Sequence, residues 1–267
     1  MAEVRSCCLT IAGSDSGGNA GVQADLRAFH AYGLHGCTVF TALTAQNPRG
    51  VSAIHAVPPD FVAAQLDAVL GVYSIRALKT GMMSDPAAVE VVADRIAAHP
   101  EIASVVDPVM IATSGAKLAD GSAVEAMKRR LLPLATVITP NLPEAAALCG
   151  REGGAADLAR ALHGMFGCAV VVKGGHGEGG AAVDVLCDQT GGVGEFSLPR
   201  IENPVSTHGT GCTFAAALAA ELALGRGLAQ AVEGAKRHVH SAISRSCLVG
   251  PDCGVLGFPY VRLAAIT

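Results

Sequence analysis

The chain has 267 residues, 51% of them hydrophobic, no tryptophan and a formal net charge of -4. That balance, without any cluster of Lys or Arg, argues against a nucleic-acid or membrane-surface partner. The nine cysteines include no Cys-x-x-Cys pair, and a chain this long needs no disulfide framework, so they read as reduced thiols of a cytoplasmic protein. The apolar opening run is broken by Gly13 and too short for a signal segment, and no later run approaches membrane-spanning length.

Residues 7–12 read as a buried strand, followed by the small-residue loop Gly13-Ser-Asp-Ser-Gly-Gly-Asn-Ala-Gly21 and a helical pattern over 22–32 closed by Gly33. The loop fits no standard phosphate or nucleophile motif. Ser16 breaks the dinucleotide fingerprint, Gly-Lys-Ser/Thr occurs nowhere, and Asp15 stands where a nucleophile elbow needs serine. A β-rich stretch over 36–45 ends at the turn Gln46-Asn-Pro-Arg-Gly50, whose Gln46 amide can offer a donor and an acceptor to a heterocycle. A helix over 58–70 with Asp60 as cap, a strand over 75–80, a helix opened by Asp85-Pro86 and a strand over 102–106 follow.

An amphipathic stretch over 122–132, a strand over 135–139, a helix over 155–166 and a strand over 168–172 come next. Residues 182–187 and 196–198 suggest a hairpin. Thr207-His-Gly-Thr-Gly-Cys-Thr213 then opens an alanine-rich helix over 214–224, apolar on nearly every face and therefore expected in the core. Gly225 supplies its stop, and a further helix is expected over 228–246. The tail after Gly250 resists placement. Alternating strands and helices, without linker, repeat or low-complexity tract, predict one α/β domain over 1–267 with a parallel sheet covered on both faces.

Ligands of such folds bind beyond the carboxyl ends of the strands. Asp15, Gln46, Asp107, Asn141, Glu144, Lys173 and the loop with Cys212 all fall there. Each has a plain structural explanation, since Asn141 and Glu144 suit a helix cap and Lys173 suits a solvated face. Together they offer carboxylates for hydrated Mg²⁺, a cation for phosphate and an anion hole at a helix tip, which are the parts phosphoryl transfer needs. Cys212, in the first turn of that helix, is expected to lose its proton easily because the helix dipole favours thiolate. His238 and His240 lie two apart on a helix and so make poor co-ligands.

Six ordered motifs make the pattern specific. Thr41-Ala-Leu-Thr-Ala-Gln-Asn47, Lys79-Thr-Gly-Met82, Asp107-Pro-Val-Met110, Thr139-Pro-Asn-Leu-Pro-Glu144, Lys173-Gly-Gly-His176 and His208-Gly-Thr-Gly-Cys-Thr213 follow an opening of Ala12-Gly-Ser-Asp-Ser-Gly-Gly18. In that order they resemble the hydroxymethylpyrimidine/phosphomethylpyrimidine kinases of the ribokinase-like superfamily. The resemblance implies a three-layer α/β/α sandwich with a mostly parallel sheet, and two successive phosphorylations of one pyrimidine for thiamine biosynthesis. It implies that Gly13, Asp25, Gln46, Met82 and Val109 line the pyrimidine pocket. It further implies that Asp107, Asn141 and Glu144 hold Mg²⁺ mainly through water, and that Lys173 and Thr207 contact ATP. Gly209, Thr210 and Gly211 would form the anion hole, with Cys212 taking the alcohol proton where many sugar kinases keep an Asp.

The superfamily usually pairs, so a homodimer is expected. Asn19 departs from a glycine common in the opening loop, and the tail lacks the family's usual histidine-glycine pattern. Three other readings compete. A pyridoxal or pyridoxine kinase would share scaffold and ATP site. A cysteine hydrolase would use Cys212 with His208 or His176, but needs neither Asn141 and Glu144 nor Lys173. A pyrimidine sensor would keep the pocket without turnover.

Overall fold

The computed structural model describes residues 6–110, 118, 120–175 and 179–258. In chain order its first half runs β1 Cys7–Asp15, α1 Gly21–Ala31, β2 His35–Asn47, β3 Gly50–Ala56, α2 Pro59–Leu70, β4 Ile75–Thr80, α3 Pro86–Ala98 and β5 Ala103–Val106. Then come α4 Gly121–Ala126, β6 Val137–Ile138, α5 Leu142–Cys149, α6 Ala155–Phe166, β7 Ala169–Val172, β8 Ala181–Cys187 and β9 Val193–Pro199. The chain continues with α7 Thr210–Ala223, α8 Leu228–Ser244, β10 Cys247–Gly250 and β11 Cys253–Val255.

Among the described residues, nine strands form one sheet in the order β3-β2-β1-β4-β5-β6-β7-β8-β9. The six from β2 to β7 pair parallel, while β3, β8 and β9 add antiparallel edges. The side-chain period of two sorts the core into two layers. Leu9, Ile11, Leu78, Val106, Ile138, Val170 and Val172 pack with α2, α3, α5 and α6 on one face. Cys8, Ala77, Val105, Val137, Ala169 and Val171 pack with α1, α7 and α8 on the other. This is the expected three-layer α/β/α sandwich.

Most expected elements form within a residue or two of their forecast ends. The differences have physical causes. Strand β3 was not anticipated from the sequence, because its last five residues are all exposed and carry no buried alternation. The helix expected over 122–132 is α-helical only to Ala126, then widens into a π-turn over Met127–Leu131 and tightens over Leu132–Leu134, where Pro133 cannot donate to a continuing helix. Asp60 is not the cap of α2. Pro58 holds that position, and Asp60 sits in the first turn. The end that could not be placed from sequence holds the small β10–β11 hairpin.

Candidate functional site

The carboxyl ends of the parallel strands converge on the N-terminus of α7. Ten of its fourteen residues are buried, because it packs against β4 and β5 on one side and α1 and α8 on the others. Alanine lets the neighbours approach that closely while keeping helix propensity high. Gly209 caps the helix with φ 86°, and a Cβ there would collide with the carbonyl of Asn19. Only glycine meets both demands.

A cavity of about 840 Å³ opens at this tip. Thr207, His208, Gly209, Thr210, Gly211 and Cys212 line it, together with Asp107, Asn141, Glu144 and Lys173 from the strand ends. The ammonium of Lys173 donates to Asp107 Oδ1 at 2.7 Å, and Thr139 Oγ1 donates to the same oxygen at 3.1 Å. Gly211 brings the helix tip against this pair. A Cβ built there would stand 3.5 Å from Lys173 Nζ and 3.8 Å from Asp107 Oδ2. Burial works against charge on Lys173, but Asp107 and Glu144 prevail and hold its proton more tightly than usual.

Asn141 and Glu144 form a reciprocal capping box on α5. The Glu144 N–H donates to Asn141 Oδ1, and the Asn141 N–H donates to Glu144 Oε2, both at 2.8 Å. The structural explanation of these residues therefore holds, and it also aims the Glu144 carboxyl into the cavity. Burial lifts that carboxyl to about 7, against the pull of Lys173 and with the push of Asp107. No cluster of three or more His, Cys, Asp or Glu suited to a metal occurs among the described residues.

Cys212 corrects one expectation from the sequence. The helix tip does not make its thiol more acidic. Burial pushes the thiol up, and the nearby carboxylates of Asp25 and Asp107 add to this, outweighing Lys79 and the Gly21 N–H. Among the residues foreseen for a ring pocket, Gly13, Gln46, Met82 and Val109 line the cavity. Met82, Leu118 and Val109 make its apolar wall, backed by Ala42, and Gln46 Oε1 lies 3.1 Å from the Thr44 hydroxyl, whose proton is given to the Ser14 carbonyl at 2.8 Å.

Asp25 does not line that cavity. It lies behind it, fully buried, where its carboxylate accepts from Lys79 Nζ at 2.9 and 3.1 Å and from Thr10 Oγ1 at 2.6 Å. A carboxylate so deep is stable only when paired, so the cation takes it out of reach of a ligand.

Several further residues shape the site, among them Asp15, which the sequence places at a strand end as one of the carboxylates for a cation. The Asp15 carboxylate accepts from the backbone N–H groups of Gly17, Asn19 and Ala20 at 2.8–2.9 Å. The glycine-rich loop is therefore wound around its own aspartate, and those amides are not free for phosphate. Lys79, Asp184 and Lys236 also reach the cavity wall. Their signal was present, because each is a charged residue in an otherwise apolar strand or helix face, but its partner was not visible. His208 Nε2 lies 3.7 Å from Asp15 Oδ2. His176 lies outside the described residues.

A sequence-family model for phosphomethylpyrimidine kinase matches residues 15–256. The chain is 48% identical over 243 residues to the hydroxymethylpyrimidine/phosphomethylpyrimidine kinase of Rhizobium meliloti, covering 88% of this chain and 90% of that protein. It is 47% identical over 243 residues to the thiamine biosynthesis bifunctional protein ThiED of Geobacter sulfurreducens. That match covers 90% of this chain but about half, 49%, of the longer relative. Among solved structures, an ADP complex of Bacillus subtilis pyridoxal kinase superposes with a TM-score of 0.86 at 34% identity, covering 94% of this chain and 97% of that one.

Proposed function

The chain belongs to the phosphomethylpyrimidine kinase family, and from that premise we propose that it moves the γ-phosphoryl group of ATP onto 4-amino-5-hydroxymethyl-2-methylpyrimidine and then onto the resulting monophosphate. The product is the diphosphate used in thiamine biosynthesis. The observation that carries this reading is the placement of the α7 tip, with Cys212, against the Lys173–Asp107 pair. Phosphoryl transfer spreads charge over equatorial oxygens, and fixed N–H dipoles and a partly buried ammonium are suited to meet it.

In this reading the ring lies against Gly13, Met82 and Val109, and the Gln46 amide reads its polar edge. The N–H groups of Gly209, Gly211 and Cys212 face the transferring group, and that of Thr210, which donates to the Thr207 carbonyl at 3.4 Å in the substrate-free chain, turns to join them. Lys173 and Thr207 hold the nucleotide phosphates. As the new O–P bond forms, the alcohol proton passes to the Cys212 sulfur and the electron pair of the breaking P–O bond leaves with ADP. Only the ionised fraction of the thiol can accept that proton, and burial keeps the fraction small.

For Mg²⁺, the residues present fit a cation held largely through its own water. Asp107 Oδ2 accepts no hydrogen bond from the described residues, while the Glu144 carboxyl already accepts from the backbone N–H groups of Asn141 and Met110 and the Asn141 side chain is committed to the cap. When bound, the ion would neutralise phosphate charge. Asn141 then acts by aiming Glu144.

A pyridoxal ring is the second occupant to weigh, favoured by the likeness to the Bacillus pyridoxal kinase. The pyrimidine is favoured by higher identity to a relative named for it. Turnover of ATP with the hydroxymethylpyrimidine, its monophosphate and pyridoxal, compared at equal concentration, decides. A larger kcat/KM for both pyrimidines is expected, and a preference for pyridoxal would overturn the assignment. The free cysteines support a cytoplasmic setting. No helix among the described residues is long and apolar enough to cross a membrane.

A further inference from the structure

The loop that carries Lys173 is held by a buried ion pair from two other elements. Gly174 donates its N–H to Asp184 Oδ1 at 3.0 Å. The other oxygen, Oδ2, accepts from Lys236 Nζ at 2.8 Å. Asp184 comes from β8 and Lys236 from the middle of α8, and both side chains are 8% exposed. Gly174 is pressed so close to β8 that a Cβ would collide with the carbonyl of Val183. One residue earlier, the Lys173 N–H donates to the Pro140 carbonyl at 2.9 Å. One residue later, Arg200 donates to the Gly175 carbonyl at 2.9 Å.

A buried pair of this kind is a weak source of net stability, because desolvation offsets most of the attraction. It is a strong source of geometry, because breaking one partner strands the other charge. Here the fixed point is one peptide away from the cation that faces Asp107 and the α7 tip. We propose that Asp184 and Lys236 are positioning residues for Lys173. They lock the loop over 173–175 at the height at which its ammonium meets the transferring phosphoryl group, and they tie that height to α8. The proposal rests on the reading of Lys173 given above. Both reach the wall of the same cavity, but the role proposed for them is exerted through the loop.

A double-mutant cycle tests this on the full chain. K236M and D184N are each made in the wild-type and K173M backgrounds, and kcat/KM for ATP is measured with the pyrimidine alcohol. Acting through Lys173, K236M lowers kcat/KM about tenfold alone and by less than about twofold when Lys173 is already gone, the size of coupling seen between directly linked residues. Equal losses in both backgrounds would overturn the proposal. If K236M alone fails to fold, the D184N/K236M double variant, which removes both charges together, serves in its place.

A second measurement is independent of turnover. Exchange of the Gly174 amide, followed by NMR in the substrate-free protein, is expected to quicken at least about tenfold in D184A. Unchanged protection would overturn the pinning. If K173M leaves kcat/KM intact, the role given to Lys173 falls, whereas the Gly174 exchange still reports on the pinning by itself.

Discussion

At the scale of single residues, Cys212 and Glu144 show how burial overrules local chemistry. A thiol in the first turn of a helix is normally made more acidic by the dipole, yet desolvation and two neighbouring carboxylates reverse that here. If this sulfur takes the proton, activity must climb with pH as the thiol ionises. C212A is expected to cut kcat by at least about a hundredfold while leaving ATP affinity nearly unchanged. C212D should recover part of the rate and move the rising limb of the pH profile to lower pH. A pH profile in C212D that coincides with the wild type would remove the base role.

Glu144 makes a different prediction. Its carboxyl titrates near 7 in the folded chain, against 4.5 ordinarily. A raised carboxyl holds its proton more tightly when folded, so its share of stability is greatest at low pH. That share is lost as pH rises through about 7. Between about pH 5 and pH 7 the urea midpoint of the wild type should fall more than that of E144Q, which has nothing to titrate there. Parallel curves would show that this carboxyl does not couple to folding.

At the scale of elements, the α7 tip is the feature on which both fold and site depend. Gly209 meets a left-handed φ and a backbone contact with the opening loop at once. G209A is therefore expected to cost at least about 2 kcal/mol of stability and to abolish turnover, measured by denaturant unfolding and ATP consumption. An intact melting curve would show that the loop can yield. The same contact gives Asn19 a role that its side chain did not suggest, because its carbonyl is what Gly209 packs against. Elements with strong periodicity or clear caps were legible in advance. Asp85 does cap α3, accepting from the Ala87 N–H at 2.8 Å, and α6 spans the forecast residues. Strand β3 was not legible, because a solvated edge strand held by backbone bonds to β2 leaves no hydrophobic pattern to read.

At the scale of the whole molecule, the β2–β3 edge leaves Leu43 and Ile54 48% and 42% exposed. That apolar edge supports the proposal of a homodimer. Sedimentation equilibrium should give twice the chain mass, and L43E/I54E should halve it, whereas a monomeric wild type would overturn the proposal. The sequence alone determined the alternation of strands and helices, hence the three-layer class. It also determined which polar residues stand at the strand ends, because period and connection order are local properties of the chain. Its ordered motifs led to the family as well. Only the tertiary structure decided which of those residues face the cavity, because that depends on partners far apart in sequence. It turned Asp25 inward to Lys79, 54 residues away, and put Lys236 on Asp184, 52 residues away. It also set the ionisation of Cys212 and Glu144, since the depth at which a group is buried is fixed only when the sheet and both helix layers close around it.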